Sequence, residues 1–316
     1  MVKQLVKDLK KDNSVDSYFA IKHKQMPRPY KNGYFFTITA SDVSGDIQVK
    51  FWGGLEAETN VIFSSLTTHD VVQIIGKVDE YQGEPQISIN PPTGIIKKIE
   101  LFDLKDLVPH TKYDITQMVE ELKKITCEVK NQDIKRLIED FLNDPEFMAK
   151  FTKAPAGKSY HHSFVGGLLE HILNLIRVCY TVSDRYPELD RDLLIAGCIL
   201  HDIGKTIEFE IKTTIDFSDE GKLLGHLSIG YHMVANRIER IGNFPEELRK
   251  KILHLILSHH GKLENGSPVE PKFPEALAFS MIDDSDAKTN HMVKISENAN
   301  TEETWIRSGR DEVYLK

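Results

Sequence analysis

The segment His201-Asp202-Ile203-Gly204-Lys205 carries the residue types most able to do chemistry. It follows residues 193–200, an unbroken apolar run of eight residues that predicts a buried helix. We expect this helix to end at Gly204, where a left-handed conformation suits glycine. His201 and Asp202 then lie in its last turn, and a buried carboxylate beside a buried imidazole is costly unless both are satisfied. A divalent cation would satisfy them, and so would hydrogen bonds from a neighbouring helix end.

Further imidazoles and carboxylates are predicted to point into the same helical region. Ten of the 13 histidines lie between positions 161 and 291, and several fall on the apolar faces of predicted helices. The inward candidates are His171, His259 with His260 on its flank, His226 at the start of a helix, and Asp283. Mixed nitrogen and oxygen ligands suit Mn, Fe, Co, Ni or Zn better than Ca or Mg. The pattern therefore predicts a divalent metal site.

Helices must position these residues, and helical periodicity begins directly after Pro109-His110. Asp114 can cap a first helix, and a second follows it. Later helices are predicted near 163–182, from Asp190 or Asp192 to 204, and at 227–241, 245–260 and 274–292. Residues 109–295 are thus predicted to form an all-α domain with a catalytic core at about 158–290. Residues 296–316 are polar without periodicity and predict a flexible tail.

Residues 1–108 are predicted to form a small β domain. Five short segments are rich in β-branched and aromatic residues and are separated by turn-forming residues, at 18–26, 34–40, 47–52, 71–79 and 86–90. A helix-compatible insert at about 55–66 separates the third segment from the fourth. This order suits a small closed barrel of the OB type. The predicted fold is multidomain: an all-β OB-type barrel followed by an all-α helical bundle.

A basic and aromatic stretch lies near the start of the predicted barrel. No acidic residue occurs between Asp16 and Asp42. An OB sheet of this composition could stack bases and follow a single-stranded backbone without reading its sequence. Alternatively, about half of the aromatic residues alternate into the core, since Phe35 and Phe36 cannot both face outward. The predicted nucleic-acid contacts are Lys22, Lys24, Arg28, Lys31 and Tyr34.

The histidine and aspartate motifs resemble the HD superfamily of metal-dependent phosphohydrolases. His171, the His201-Asp202 pair and Asp283 have its order and spacing. Gly225-His226 and Ser258-His259-His260-Gly261 are similar to the extended histidine set of its two-metal branches. An OB-like domain before such a domain resembles the YhaM-type 3′→5′ exoribonuclease family, most closely at 158–171, 200–205, 257–264 and 282–288. The resemblance covers about residues 14–290.

This resemblance implies a role for each matching residue. The core metal ligands would be His171, His201, Asp202 and Asp283. His226, His259 and His260 would hold or adjoin a second metal, with Asp202 as the bridge. Lys205 would neutralise the scissile phosphate, and Lys158 and His162 are candidate substrate contacts. The alternative for His161 and His162 is a plain surface pair. One or two divalent ions are expected, Mn ahead of Co, Fe, Ni or Zn.

The implied function is a metal-dependent 3′→5′ exonuclease that hydrolyses single-stranded RNA, or DNA, to nucleoside 5′-monophosphates. One alternative is a nucleotide phosphohydrolase or cyclic-nucleotide phosphodiesterase, although a small substrate needs no strand-guiding OB domain. A second alternative is a non-catalytic nucleic-acid-binding protein with a vestigial HD domain. The complete set of ligand-type residues argues against that, because an inactive site has no reason to keep them directed inward.

Composition bounds these hypotheses. The chain has 316 residues, of which 40% are hydrophobic and 28% charged, typical of a globular protein outside the membrane. The net charge of −8 argues against a charge-driven duplex binder. No apolar run could cross a bilayer, and the N-terminus lacks the apolar core of a secretory signal. Three scattered cysteines fit a reducing interior. We therefore expect a cytoplasmic protein without a membrane partner; the sequence leaves its oligomeric state open.

Overall fold

The protein, described here from a computed structural model for residues 3–299, 303–308 and 311–315, consists of two compact units. The first unit, called the β unit below, ends at Pro109 and also includes Ile211–Ile215. The second, called the helical unit, comprises His110–Glu210 and the chain from Asp216 on. This division falls one residue from the boundary expected after residue 108.

Six strands build the β unit, and a helix lies between the third and the fourth. They are β1 (Ser14–Tyr30), β2 (Gly33–Asp42), β3 (Gly45–Trp52), α1 (Glu56–Ser65), β4 (Val71–Tyr81), β5 (Glu84–Ile89) and β6 (Ile95–Lys98). The strand order is β1-β2-β3-β5-β4-β6. The long strand β1 pairs with β2 along one part and with β4 along another, which closes the barrel. The predicted OB-type fold is confirmed.

Alternation along the strands fills the barrel core and leaves the other face outward. Ile47, Val49 and Phe51 on β3 are buried, whereas the residues between them are more exposed. Phe36 is buried and Phe35 is partly exposed, as expected for neighbours on one strand. The outer face of β1–β3 is therefore free to carry aromatic residues.

The helical unit begins with α2 (Ile115–Glu128), α3 (Gln132–Leu142), α4 (Pro145–Phe151), α5 (Gly167–Arg185), α6 (Arg191–Leu200) and α7 (Lys205–Glu208). A short hairpin follows, formed by β7 (Phe209–Ile211) and β8 (Ile215–Phe217). The unit continues with α8 (Asp219–Ile241), α9 (Glu246–Ser258) and α10 (Pro274–Asn298). Asp114 caps α2 by accepting a hydrogen bond from the Gln117 amide, as predicted. Every residue of α6 from Leu193 to Leu200 is buried, so this helix lies in the middle of the core.

Three local predictions were wrong. Gly204 is right-handed helical (φ −59°) rather than left-handed, and α7 follows it directly. The helix expected from residue 227 starts at Asp219 and is interrupted at Gly225, whose φ of +70° breaks it one residue before His226. The tail expected to lack structure contains the end of α10 and a hairpin of β9 (Trp305–Ser308) and β10 (Asp311–Tyr314). Within the described ranges, no helix is long and apolar enough to cross a membrane.

Candidate metal centre

Five elements of the helical unit bring the predicted ligands together. His171 lies on α5, His201 and Asp202 directly follow α6, and His226 follows the break in α8. His259 and His260 directly follow α9, and Asp283 lies on α10. Most of these side chains are buried: His171 and His201 are fully enclosed, and Asp202 is 2% exposed. Imidazoles and carboxylates in such a core need partners other than water.

One group of potential ligands is formed by His171, His201 and Asp283, whose ligand atoms all lie within 4.8 Å of one another. Asp283 Oδ1 is 3.0 Å from His171 Nε2 and 3.7 Å from His201 Nε2. Two imidazole nitrogens and one carboxylate oxygen at this spacing are a suitable partial ligand set for a divalent transition metal.

A second group consists of His226, His259 and His260, again with ligand atoms within 4.8 Å. This group is more accessible to solvent than the first, since His226 and His260 are only partly buried. Asp202 lies between the two groups: its Oδ2 is 3.2 Å from His201 Nε2, and its Oδ1 is 3.5 Å from the Nε2 atoms of both His226 and His259. Asp202 is thus placed to serve both groups.

Four of these imidazoles are held through Nδ1, with Nε2 turned toward the centre. Their Nδ1 partners are Asp286 Oδ2 for His171 (2.7 Å), the Cys198 carbonyl for His201 (3.0 Å), Glu208 Oε1 for His226 (3.0 Å) and the Ile256 carbonyl for His259 (2.8 Å). An oxygen acceptor at Nδ1 fixes the proton there and leaves Nε2 as the ligand atom.

The atoms that converge on the centre have no hydrogen-bond partner among the described residues. They are Nε2 of His171, His201 and His259, and Oδ1 of Asp202, all buried. Leaving a buried polar atom unsatisfied costs about 1–3 kcal/mol. Approaches within the cluster, such as Asp283 Oδ1 at 3.0 Å from His171 Nε2, offset part of this cost. A divalent cation would satisfy them at once. The residues present therefore fit a bound metal.

Charges in the centre shift the pKa values of its groups. Burial disfavours the protonated His171 ring, but the Asp283 and Asp286 carboxylates outweigh it and raise the His171 pKa to about 9. Burial would raise the pKa of Asp202, yet the Lys205 ammonium and His201 hold it well below its usual range. Burial, with the neighbouring imidazoles, lowers the pKa of His260 to about 3. Without metal, the two carboxylates therefore favour the protonated His171 ring, whereas burial favours the neutral His260 ring.

Lys205, the predicted catalytic lysine, is almost fully buried, and its Nζ lies 2.5 Å from Asp202 Oδ2. The adjacent Gly204 contacts the helix that carries His226: a Cβ atom at this position would lie 2.1 Å from the His226 carbonyl oxygen. Close packing, and not a left-handed backbone, is the physical reason for glycine here.

The two predicted substrate contacts at the start of α5 are engaged within the protein. His162 is 1% exposed, and its Nε2 lies 3.0 Å from Asp286 Oδ2, so it is not the surface residue of the alternative prediction. Lys158 Nζ donates to Asp216 Oδ1 over 2.6 Å in a partly exposed pair. His161 packs against the His171 ring at 5.2 Å between centroids, with its Nδ1 unpartnered.

Sequence reasoning missed two acids behind the proposed ligands: Glu208, which is buried, and Asp286, which is partly buried. Asp286 contacts His171 and His162, and Glu208 contacts both the backbone amide and the ring of His226. Asp286 stands one helical turn after Asp283, and that spacing was the available signal. Glu208 is the last residue of α7, which has only four residues. A helix this short shows no hydrophobic periodicity from which the burial of Glu208 could be predicted.

Of the five predicted nucleic-acid contacts in the β unit, three make contacts within the unit and two are exposed at a turn. Lys22 pairs with Asp46 at 2.7 Å, and Lys24 Nζ donates to the Phe63 and Leu66 carbonyls at 3.0 and 2.5 Å. The Tyr34 hydroxyl is hydrogen-bonded to Glu56, which raises the Tyr34 pKa. Arg28 and Lys31 are exposed at the β1–β2 turn.

A set of aromatic rings lies on the outer side of the barrel, and we call it the aromatic face: Tyr30, Phe35 and Trp52 on β1–β3, and Tyr81 at the end of β4, with Lys50. Trp52 contacts Tyr30 and Phe35 with ring centroids 5.0 and 5.2 Å away. Lys50 Nζ lies 4.5 Å from the Tyr81 centroid, and Tyr81 is 55% exposed. Tyr30, Phe35 and Trp52 are partly exposed. Accessible rings beside a cation form a surface on which bases can stack.

An OB barrel joined to a helical unit with a histidine–aspartate centre defines the class of HD-type phosphohydrolases that carry a nucleic-acid-binding module. Family models agree: residues 168–288 match the HD domain, and residues 20–92 match an OB-fold nucleic acid binding domain. HD domains of this kind depend on a divalent metal.

Relatives of known name extend over most of the chain. The chain is 34% identical to the 3′-5′ exoribonuclease YhaM of Bacillus velezensis over 87% of its own length and 85% of that protein. It is also 34% identical to the YhaM of Bacillus subtilis, over 88% of its length and 86% of that protein. The chain belongs to the YhaM family of 3′-5′ exoribonucleases.

Proposed function

We propose that this protein hydrolyses single-stranded RNA from the 3′ end, with divalent metal, to nucleoside 5′-monophosphates. The observation that carries the proposal is the convergence of unpartnered, buried Nε2 atoms and one Asp202 oxygen on a single centre. Its relatives are named 3′-5′ exoribonucleases, which supports the direction and the substrate class.

In this proposal, the chain supplies two ligand groups that share one carboxylate. His171, His201 and Asp283 hold one ion, and His226, His259 and His260 hold or adjoin a second. Asp202 serves both groups. A divalent ion held there would lower the pKa of water, so that hydroxide would be available near neutral pH, and would stabilise charge on the phosphate.

Lys205 is the protein's own cation at this site. Its ammonium group lies against Asp202 and compensates the charge of that buried carboxylate. From this position we assign it to neutralise the scissile phosphate when substrate enters. We propose Mn²⁺ ahead of Co, Fe, Ni or Zn on the family resemblance; the imidazole and carboxylate groups by themselves could accept any of the five. Cys179 and Cys198 are free thiols whose sulfur atoms lie 3.4 Å apart, and such a pair fits a cytoplasmic location, where thiols stay reduced.

The aromatic face favours a polymeric substrate over a single nucleotide. Its rings present stacking surfaces to several bases, and stacking on aromatic side chains is worth about 1–3 kcal/mol per base without selecting sequence. We assign Arg28 and Lys31, exposed at the turn beside Tyr30, to the nucleotide backbone. Lys22 and Lys24 are assigned to the fold, since their ammonium groups are engaged within the unit.

Incubation of purified protein with Mn²⁺ and a 5′-labelled single-stranded RNA should give a ladder that shortens from the 3′ end. Nucleoside 5′-monophosphates should accumulate in proportion, as measured by chromatography. Excess chelator should abolish both, and Mn²⁺ should restore them. A matched DNA strand and a cyclic nucleotide test the alternatives in parallel. Absence of cleavage of RNA and DNA with Mn, Co, Fe, Ni and Zn would refute the proposal.

The double variant Arg28→Ala/Lys31→Ala should bind single-stranded RNA more weakly. Each phosphate contact contributes roughly 0.7 to the slope of log affinity against log salt for a single strand, so the slope should fall by about 1.4. The variant Lys22→Ala is the matched control, because Lys22 is already paired with Asp46. Affinity is measured by fluorescence anisotropy at several salt concentrations. An equal loss in both variants would contradict the assignment.

A further inference from the structure

We propose that Asp286 and Glu208 are positioning residues, one for each half of the metal centre. This inference rests on the proposed function, because it presumes that His171 and His226 are metal ligands. Neither acid is directed at the centre. Each contacts a single ligand histidine from behind, at the ring nitrogen opposite to the one that faces the ligand group.

Asp286 and Asp283 hold the His171 ring from both sides. They lie one turn apart on α10, so that Asp283 Oδ1 is 3.0 Å from Nε2 and Asp286 Oδ2 is 2.7 Å from Nδ1. The ring can then neither flip nor exchange tautomers without breaking its contact with Asp286. A carboxylate at Nδ1 also makes Nε2 a stronger electron donor.

Asp286 is itself fixed by a chain of contacts that begins at the buried His162. His162 Nε2 lies 3.0 Å from the same Asp286 oxygen, and its Nδ1 lies 3.5 Å from Glu170 Oε1. The other Glu170 oxygen accepts a hydrogen bond from Thr111 Oγ1 at 2.6 Å. The His162 backbone amide donates to Asn290 Oδ1 on α10 at 2.8 Å, which ties this loop to the helix that carries Asp286. His162 is therefore buried because it holds Asp286 in place.

Glu208 has the corresponding place behind the second group. The break at Gly225 separates His226 from the preceding helical turns, and the backbone amide of His226 donates to Glu208 Oε1 at 2.9 Å. The same oxygen lies 3.0 Å from His226 Nδ1. One carboxylate therefore fixes both the backbone and the ring of this ligand. Glu208 is buried, and Gly221 packs against its carbonyl, where a Cβ atom would lie 2.3 Å away.

The variants Asp286→Ala and Glu208→Ala test the proposal by metal affinity. Mn²⁺ is titrated calorimetrically into the full-length, metal-free protein. Loss of a partner behind a metal-ligating histidine typically costs 10–100-fold in affinity, and we expect a loss of that size at one of the two ions in each variant. Asp286→Asn and Glu208→Gln keep a neutral acceptor for Nδ1, so they should lose less than the alanine variants. This rescue is not expected if the acids contribute charge alone.

Two controls separate positioning from general damage. Asp284→Ala removes an exposed acid of α10 two residues from Asp286, and Glu220→Ala removes an exposed acid of α8. Both should bind Mn²⁺ like the wild type. Circular dichroism establishes that each variant is folded, and the Asn and Gln variants keep the test available if an alanine variant is not. Alanine variants with wild-type Mn²⁺ affinity and stoichiometry would overturn the inference.

RNA hydrolysis is the second readout and distinguishes the two proposals. For Asp286→Ala, the Mn²⁺ concentration for half-maximal rate should rise 10–100-fold, while kcat at saturating Mn²⁺ stays closer to wild type. If the wild type cleaves no RNA but the calorimetric pattern holds, the nuclease function fails and the positioning roles stand. If RNA is cleaved and Asp286→Ala has unchanged metal dependence, only the positioning roles fail.

Discussion

Replacing Asp202 with asparagine should lower the rate of RNA hydrolysis by about a thousandfold or more, because both ligand groups lose their shared carboxylate. The amide keeps the size of the side chain but carries no charge. In the wild type, this carboxylate lies 3.2 Å from His201 Nε2 and 3.5 Å from the Nε2 atoms of His226 and His259. Single-turnover rates with labelled RNA at fixed Mn²⁺ measure the effect.

Metal content decides the cause of that loss. We expect elemental analysis to find less than wild-type metal in Asp202→Asn. Asp284→Asn, an exposed neutral replacement on α10, should retain all of it. Thermal unfolding should show that Mn²⁺ stabilises the wild type through linkage and stabilises Asp202→Asn much less. A variant with full metal content and near-normal turnover would place the centre of the active site elsewhere.

The residues that we propose as principal ligands stand out in the sequence, because each lies where a simple pattern places it. His171 falls on the apolar stripe of a long helix, His201 and Asp202 follow a fully apolar run, and Asp283 interrupts another apolar segment. A polar residue on a buried face is conspicuous in a periodic sequence, since burial without a partner is costly. The structure brings these residues together as predicted.

Apart from the spacing of Asp286 from Asp283, the sequence carries no signal for the supporting residues, because their roles depend on contacts between elements distant in sequence. Glu208 and His226 are separated by the β7–β8 hairpin and by the first turns of α8. The contact between Asp286 and His162 joins positions 124 residues apart. In the sequence, a histidine or an acid that supports a ligand cannot be told from one exposed to solvent. His162 was therefore predicted to be a substrate contact or a surface residue.

The roles of individual glycines and lysines could not be predicted for a similar reason. Position 204 requires glycine because the backbone carbonyl of His226 packs against it. Gly225, in contrast, lies where the helix α8 is interrupted. A sequence shows that a glycine is present but not which of these needs it meets. Likewise, Lys22 and Lys24 belong to a basic stretch, yet their ammonium groups are engaged by Asp46 and by the carbonyls after α1.

Lys205→Met should slow RNA hydrolysis by about 10²–10³-fold, the typical effect of removing one charge-stabilising donor. Methionine keeps an unbranched chain in the buried site but removes the ammonium group that lies 2.5 Å from Asp202 Oδ2. Rates are measured as for Asp202→Asn, with Lys222→Met as the control. Lys222 is exposed, and its Nζ makes only a long ion pair of 3.8 Å with Asp219 Oδ1. This replacement should therefore leave the rate unchanged.

Metal content and stability should separate Lys205→Met from Asp202→Asn. Lys205 is not a ligand, so its variant should keep wild-type metal while losing rate. Without metal, however, the buried Asp202 carboxylate would lose its ammonium partner, and breaking such a pair costs about 3–5 kcal/mol. Mn²⁺ takes over the compensation of that charge, so added Mn²⁺ should stabilise Lys205→Met more than the wild type. Loss of metal from Lys205→Met, or an unchanged rate, would show that Lys205 serves Asp202 alone and not the phosphate.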